Sequence, residues 1–443
     1  MSKRISSLFH LAYPIVIAQI GSIMQGFADT IMVGQYGTPE LSASGFVNNV
    51  FNFILFSLLG ISYATSSVVA RYYSQNEKAK VLQTFHNSNV LNLAFSFLAA
   101  LLLLIVYFRI DSFGQPEHLL PLMRPYLLTL LLSLPFLALF NSMKQFTDAL
   151  GDTKTAMWVM LSSNVINIIL NYVFIFLLDF GLTGAGLATL VARAYMPLAM
   201  YFTAQRIIRQ RNLACADSSS ADDVSIHRPT LKGLLLLFRL GFPISIQLCL
   251  ETGSFNICAI FMGWIGATAL ATHQVMSTVA TVAFMFYYGI GAAAAIRIAH
   301  YKGLGDMTEI RKTANAAFLM AFIPGMLIVA TVCLFRHTVV SLFTTSPEVS
   351  TLFVALLPSF LCYQLGDCAQ IIFANALRAI ERVKAIMLYA FIAYVLISIP
   401  VAYIFAFVLD MGAVGIWWSF PFGLSTAAIC YYFQFRKCLS YSR

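Results

Sequence analysis

Long apolar stretches recur along the chain, each closed by charged residues or by Gly/Pro turns. A helix needs about 20 mostly apolar residues to cross hydrocarbon, and the runs meet that length without the short period-2 alternation of strands. The pattern predicts twelve membrane helices. Six fall in the first half: Phe9–Val33, Leu41–Ala70, Val81–Phe108, Pro125–Met143, Thr155–Leu178 and Ala185–Ala204. Six follow in the second: Leu234–Met262, Ala269–Ile296, Thr313–Phe335, Leu352–Ala376, Ala385–Leu409 and Ala413–Phe433. The longest charge-free interval runs from Glu251 to Arg297 and is broken by the turn-like GWIGAT at Gly263–Thr268.

The first stretch, Leu8–Gly37, has a second copy. Shifted by 229 positions, Leu8, Phe9, Leu11, Pro14, Ile15, Ile17, Gly34, Gly37 and Leu41 meet Leu237, Phe238, Leu240, Pro243, Ile244, Ile246, Gly263, Gly266 and Leu270. The repeat returns late in each half: Ala149-Leu150 corresponds to Ala376-Leu377, and Asp179, Gly181 and Gly184 to Asp410, Gly412 and Gly415. An all-α polytopic membrane protein of two six-helix lobes follows. Six spans return the chain to its starting side, so the copies share an orientation and are expected to be related by a pseudo-twofold axis along the membrane normal. A central cleft between such lobes suits alternating access. The expected divisions are an amino-terminal lobe over 1–204, a cytoplasmic linker over 205–232, and a carboxyl-terminal lobe over 233–443. The linker, with ACADSSSADD at its centre, is the only long polar stretch.

Charge placement sets the orientation. An even number of spans puts both ends on one side, which carries 23 of the 27 Lys and Arg residues; the other side has Arg109, Arg124 and Arg336, and Arg193 alone falls within a span. Both termini are therefore expected to be cytoplasmic. The apolar run after MSKR is too long for a signal peptide and leads into the next span, so it is expected to be retained.

Composition narrows the class. Residues are 60% hydrophobic and 10% charged, against about 25% charge in soluble proteins, so the chain cannot clothe itself for water. The net charge of +9 is scattered over loops and forms no basic face, which argues against nucleic acid. Most of the eight cysteines sit inside apolar runs, and neither CxxC nor HExxH occurs, so no disulfide framework, zinc site or redox site is supported. His273 has no acidic or Cys partner at ligand spacing and reads as structural.

Three carboxylates lie well inside spans: Asp29, Glu251 and Asp367. A carboxylate in hydrocarbon must be protonated or paired with a cation, which makes each a natural site for H+, Na+ or an organic cation. Gln25 precedes Asp29 by one helical turn, and Gln247 precedes Glu251 likewise. Tyr363, Gln364 and Gln370 surround Asp367 at i−4, i−3 and i+3. Asn164, Asn167 and Asn171 form an amide stripe on the fifth span. Amide and carboxylate oxygens suit a hard cation such as Na+, and asparagines also hydrogen-bond between membrane helices. The carboxylates do not follow the repeat: Asp29 meets Cys258, and Glu251 meets Ser22. Aromatic and Met residues of the second half, Met262 to Tyr288, suit lipid contact or a cation-accommodating pocket.

Over essentially its whole length the chain resembles the multidrug and toxic compound extrusion (MATE) family. The resemblance is carried by AYPIVIAQ and GFADTIMVGQYG in the first span, by DALGDTKTAMWVMLSSNVINIILNYVFIF, and by LTGAGLATLVAR, CLETGSF and YQLGDCAQIIFANALR, in that order. It implies two six-helix lobes and export of organic cations in exchange for Na+ or H+, from a bacterial inner membrane, by a monomer without cofactor. Carried over by position, Asp29, Asn167, Asn171 and Thr189 look like an amino-lobe cation site. Glu251 and Asp367 look like the acidic pair of the NorM-type branch. Where some relatives have Asp, this chain has Asn171, which leaves the amino-lobe site one formal charge poorer.

Other classes fit less well. A flippase for a lipid-linked sugar or other amphiphile would be expected to carry more interior cations to meet a diphosphate. No His-x4-Asp, HExxH, nucleophile elbow or P-loop supports an enzyme or an ATP-driven pump. Nothing suggests the repeated filter residues of a channel. Na+ and H+ both remain open as coupling ion.

Overall fold

The computed structural model describes residues 2–113, 116–213, 228–344 and 346–440. Within them the chain is helical and contains no strand. The amino half contributes α1 (Ser2–Tyr36), α2 (Thr38–Ser74), α3 (Lys78–Arg109), α4 (Leu120–Ala149), α5 (Thr153–Asn171) and α6 (Gly181–Gln210). The carboxyl half contributes α7 (Leu231–Ile265), α8 (Ala267–Gly303), α9 (Met307–Leu334), α10 (Pro347–Ala379), α11 (Val383–Val408) and α12 (Gly412–Ser440). Eleven of these are long and apolar enough to cross a membrane. The twelfth, α6, has 30 residues but carries Arg193 near its middle. The chain is a multi-pass membrane protein. The expected linker is helical up to Gln210 and from Leu231, and its centre, 214–227, lies outside the described residues.

The helices outrun the apolar runs that predict them, since a helix can extend past the hydrocarbon at either end. Their outer faces are apolar: Phe97, Leu101, Ile105 and Phe108 make an exposed stripe at helical spacing on α3, and Leu319, Ile323 and Leu327 do so on α9. In water such stripes would be costly; against lipid they are the expected surface. Polar side chains instead turn inward. Ser62 Oγ donates to Asn92 Oδ1 at 2.5 Å, Thr65 and Ser88 hydroxyls lie 2.6 Å apart, and Ser142 Oγ donates to Asn89 Oδ1 at 2.7 Å, stitching α2, α3 and α4 together.

The repeat is visible in the turns. Asp179 and Gly181 have φ of 56° and 51°, and Asp410 and Gly412 have 52° and 55°. These left-handed positions favour Gly and, among other residues, Asn and Asp. Before each turn the helix loosens into π geometry, at Tyr172–Leu177 and Ile404–Val408, and after each a glycine lies against the preceding backbone: Gly184 on Phe174, Gly415 on Phe405. A further π stretch, Phe391–Ser398, has no repeat mate among the described residues.

The chain divides into two compact units. One comprises Ile17–Ser245; the other comprises Met1–Val16 with Ile246–Arg443. Both boundaries fall inside a helix, two residues after Pro14 in α1 and two after Pro243 in α7, at positions related by the 229-residue shift. Within Ile17–Ser245, Gly60 of α2 lies against the Ser245 backbone, Ser245 Oγ donates to Ser57 O at 2.6 Å, and Gly241 meets Ile61. Within the other unit, Gly289 of α8 lies against Val16. Gly60 and Gly289 are again repeat mates, and each allows a close helix approach that a Cβ would prevent.

Candidate functional site

Within Ile17–Ser245, three helices bring a polar cluster together. Asp29 stands on α1, Asn167 and Asn171 one turn apart on α5, and Thr189 on α6. Asn171 Nδ2 donates to Asp29 Oδ1 at 2.5 Å and to Asn167 Oδ1 at 3.2 Å, and Asn167 Nδ2 donates to Thr189 Oγ1 at 3.4 Å. Both asparagines are fully buried, and the Asn171 Oδ1 acceptor has no hydrogen-bond partner. The helices are pinned by Ser163 Oγ donating to Ala192 O at 3.1 Å and by the Ser162 and Tyr195 hydroxyls at 3.0 Å. The unpartnered acceptor and the Asp29 carboxylate give the cluster oxygen lone pairs suited to a small hard cation.

Two expected neighbours stand apart from it. Gln25 hydrogen-bonds to none of these residues. Asn164, the first of the amide stripe, packs beside Gly21, and its Nδ2 is buried without a partner. Arg193, one turn beyond Thr189 on α6, is held by Ser133 Oγ at 2.7 Å and lies 4.7 Å over the Phe51 ring. It also acts electrostatically on Asp29, so a guanidinium stands near the cluster's one carboxylate.

The carboxyl unit builds a different cluster from α7 and α10. Glu251 Oε2 accepts from Gln247 Nε2 at 2.6 Å, and Gln370 Nε2 reaches both Glu251 oxygens at 3.3 and 3.4 Å. Asp367, one turn before Gln370, is buried with Oδ2 unpartnered, and the two carboxylates act on each other electrostatically. Gln364 is one step removed: its Oε1 accepts from Tyr287 Oη at 3.0 Å and its Nε2 has no partner. Tyr363 lies in an aromatic layer with Phe255, Phe360, Trp417 and Phe420. His273 belongs to the same layer, against Trp417 and Phe420, and Nδ1 has no partner. No three His, Cys, Asp or Glu side chains converge on a point among the described residues, so oxygen-rich pairs, not a transition-metal cage, are what these clusters offer.

Sequence reasoning missed Arg378. Counted among the cytoplasmic cations that set orientation, it is buried on α10, with Nη2 donating to Gln247 Oε1 at 2.5 Å. The signal was present: Asp367, Gln370, Ala374 and Arg378 follow one another at helical spacing on one face. Lys144, another of those cations, is likewise buried, paired with Asp148 at 2.8 Å.

The sequence pattern of the MatE family matches residues 14–173 and 243–404, one block in each half. The chain is 29% identical to the multidrug resistance protein NorM of Vibrio cholerae over 436 residues, covering 96% of this chain and 94% of the relative. It is 28% identical to a probable NorM of Pseudomonas syringae, covering 98% and 95%. Among solved structures, a MOP superfamily transporter from Pyrococcus furiosus superposes with a TM-score of 0.87 at 21% identity, over 99% of this chain and 96% of the other. A eukaryotic MATE transporter gives 0.85 at 19% identity, over 100% and 98%. The fold is therefore the twelve-helix, two-lobe fold of those transporters.

Proposed function

Because this chain belongs to the MatE family, we propose that it is a secondary active multidrug efflux antiporter. It exports small organic cations in exchange for Na+ or H+ by alternating access. The observation that carries this reading is the amino-unit cluster, where Asn171 bridges Asp29 to Asn167 and leaves a buried oxygen unpartnered. The carboxyl-unit acids, Glu251 and Asp367, are the second place where an interior cation can bind. The 23-to-3 distribution of Lys and Arg supports an inner-membrane protein with both ends in the cytoplasm. The protein acts as a monomer and without a cofactor.

The mechanism needs no bond-making. A single carboxylate cannot pair fully with substrate and coupling ion at once. When Na+ or H+ neutralises it from outside, a bound organic cation loses its counter-charge and leaves. A ligand shifts a conformational equilibrium only by its differential affinity for the two states, and competition for one charge supplies that difference. Efflux of a fluorescent cation from energised everted vesicles tests this, with Na+ pulsed at fixed pH and pH stepped without Na+. A response to Na+ alone identifies sodium as the driver, and a response to pH alone identifies the proton. Indifference to both, with the protein correctly inserted, would overturn the antiport reading in favour of a flippase.

A further inference from the structure

Glutamine 247 sits between two groups that leave it no freedom. Arginine has donors only, so the end of the Gln247 amide facing Arg378 Nη2 must be its oxygen. The nitrogen end then necessarily faces Glu251, where it donates to Oε2 at 2.6 Å. The same Glu251 oxygens receive Gln370 Nε2 from α10 at 3.3 and 3.4 Å. Gln247 and Gln370 are fully buried and Arg378 nearly so, so these groups depend chiefly on one another for hydrogen bonds. Were Arg378 absent, the Gln247 amide could turn over and present its oxygen to Glu251, repelling the carboxylate it now holds.

We infer that Arg378 is a positioning residue for the carboxyl-unit site: through Gln247 it locks the Glu251 carboxylate into the orientation that binds a small inorganic cation. The inference rests on the antiporter reading for its purpose, but its geometry stands apart from it. Arg378 also acts electrostatically on Glu251, and Asp367, with its Oδ2 unpartnered, stands one turn before Gln370, the second amide that reaches Glu251. The amino unit has no counterpart to this relay. In the repeat Gln247 corresponds to Ala18, and Arg378, which follows the Ala376-Leu377 match to Ala149-Leu150, corresponds to Gly151.

The test uses full-length purified protein and Na+, with choline as control, reading thermal stabilisation by the ion; a ligand that binds only the folded state raises stability with its concentration. Arg378→Gln is expected to raise the half-saturating Na+ concentration about tenfold, and Gln247→Leu to do the same, a change that corresponds to about 1.4 kcal/mol. Arg378→Lys, which keeps a donor for the Gln247 oxygen, is expected to recover most of the loss. Because Arg378 acts through Gln247, the double variant should be no worse than either single one. A wild-type value in Arg378→Gln, losses that multiply in the double variant, or the absence of any Na+ effect on the wild type would overturn the inference. Should Arg378→Gln fail to accumulate, Arg378→Lys at or near the wild-type value with a loss of about tenfold in Gln247→Leu supports the relay, and a wild-type value in Gln247→Leu overturns it. Sodium stabilisation that depends on Arg378, in a protein whose efflux ignores both ions, would instead overturn the antiport reading and leave this inference standing.

Discussion

The two compact units share a scaffold and differ in chemistry. Their turns agree to within a few degrees, Asp179 at φ 56° against Asp410 at 52° and Gly181 at 51° against Gly412 at 55°. Their polar clusters both hang a carboxylate on a side-chain amide but do not correspond residue by residue. The amino unit spreads one carboxylate, two amides and a hydroxyl over three helices, with Arg193 as a nearby cation. The carboxyl unit places two carboxylates on two helices and reaches Glu251 from Arg378 through a glutamine. Turn residues are held by backbone geometry, which both copies must solve identically. Interior polar residues are free to diverge as long as each finds a partner. A duplicated fold can therefore carry two candidate cation sites of unlike composition, one with a single carboxylate and one with two.

The comparison is broken most directly at the carboxylates. Asp29→Asn and Asp367→Asn are each expected to lower ion-driven efflux at least about tenfold while leaving membrane expression intact, measured as drug resistance and vesicle efflux side by side. Wild-type resistance in both variants would remove the carboxylates from the mechanism. The bridging amides come next. Asn171→Leu removes the donor to both Asp29 and Asn167 and leaves a half-buried carboxylate short of a partner, so a loss of about 1–3 kcal/mol in apparent ion affinity is expected. Gln370→Leu, whose contacts to Glu251 are longer, should cost less than Asn171→Leu in the same assay. If the order is reversed, the amino unit is not the tighter site.

Much of this scaffold was legible in the sequence. The apolar runs located the helices, and the Gly and Asp spacings revealed the repeat, whose turns the structure shows to have positive φ. What the pattern could not carry was the reach of individual side chains. Arg378 and Lys144 sit at span ends, where a cation usually marks a loop, and only tertiary packing turns them inward. Asn164 has the right spacing for the amide stripe but faces Gly21, because three residues along a helix do not guarantee one shared neighbour. Gln25 precedes Asp29 by a turn without bonding to it, for the same reason. The π stretches at Tyr172–Leu177 and Ile404–Val408 had no composition signal at all.

Smaller effects sharpen the scaffold half of the comparison. Gly60→Val would press its side chain on the Ser245 backbone, whereas Gly289→Val first meets the tip of the Val16 side chain. Overpacking costs about 1–3 kcal/mol, more where the obstacle is backbone. Thermal unfolding of the purified variants should therefore show the larger drop for Gly60→Val; equal drops would mean that the two crossings are packed alike. The smallest expected change is Thr189→Val, which removes a 3.4 Å hydrogen bond from Asn167. A loss of about 0.5–1.5 kcal/mol in ion affinity is anticipated, read from the efflux response.

The division of α1 after Val16 and of α7 after Ser245 bears on the order in which the protein is made. Translation produces the segment ahead of Val16 first, yet its partner Gly289 lies beyond the middle of the chain. That segment thus emerges well before the part of the chain it packs against. The Ile17–Ser245 unit, in turn, closes only when the start of α7 has been inserted behind it. Neither unit can be finished while the ribosome is still within the first six helices, so assembly waits on the second half of the chain.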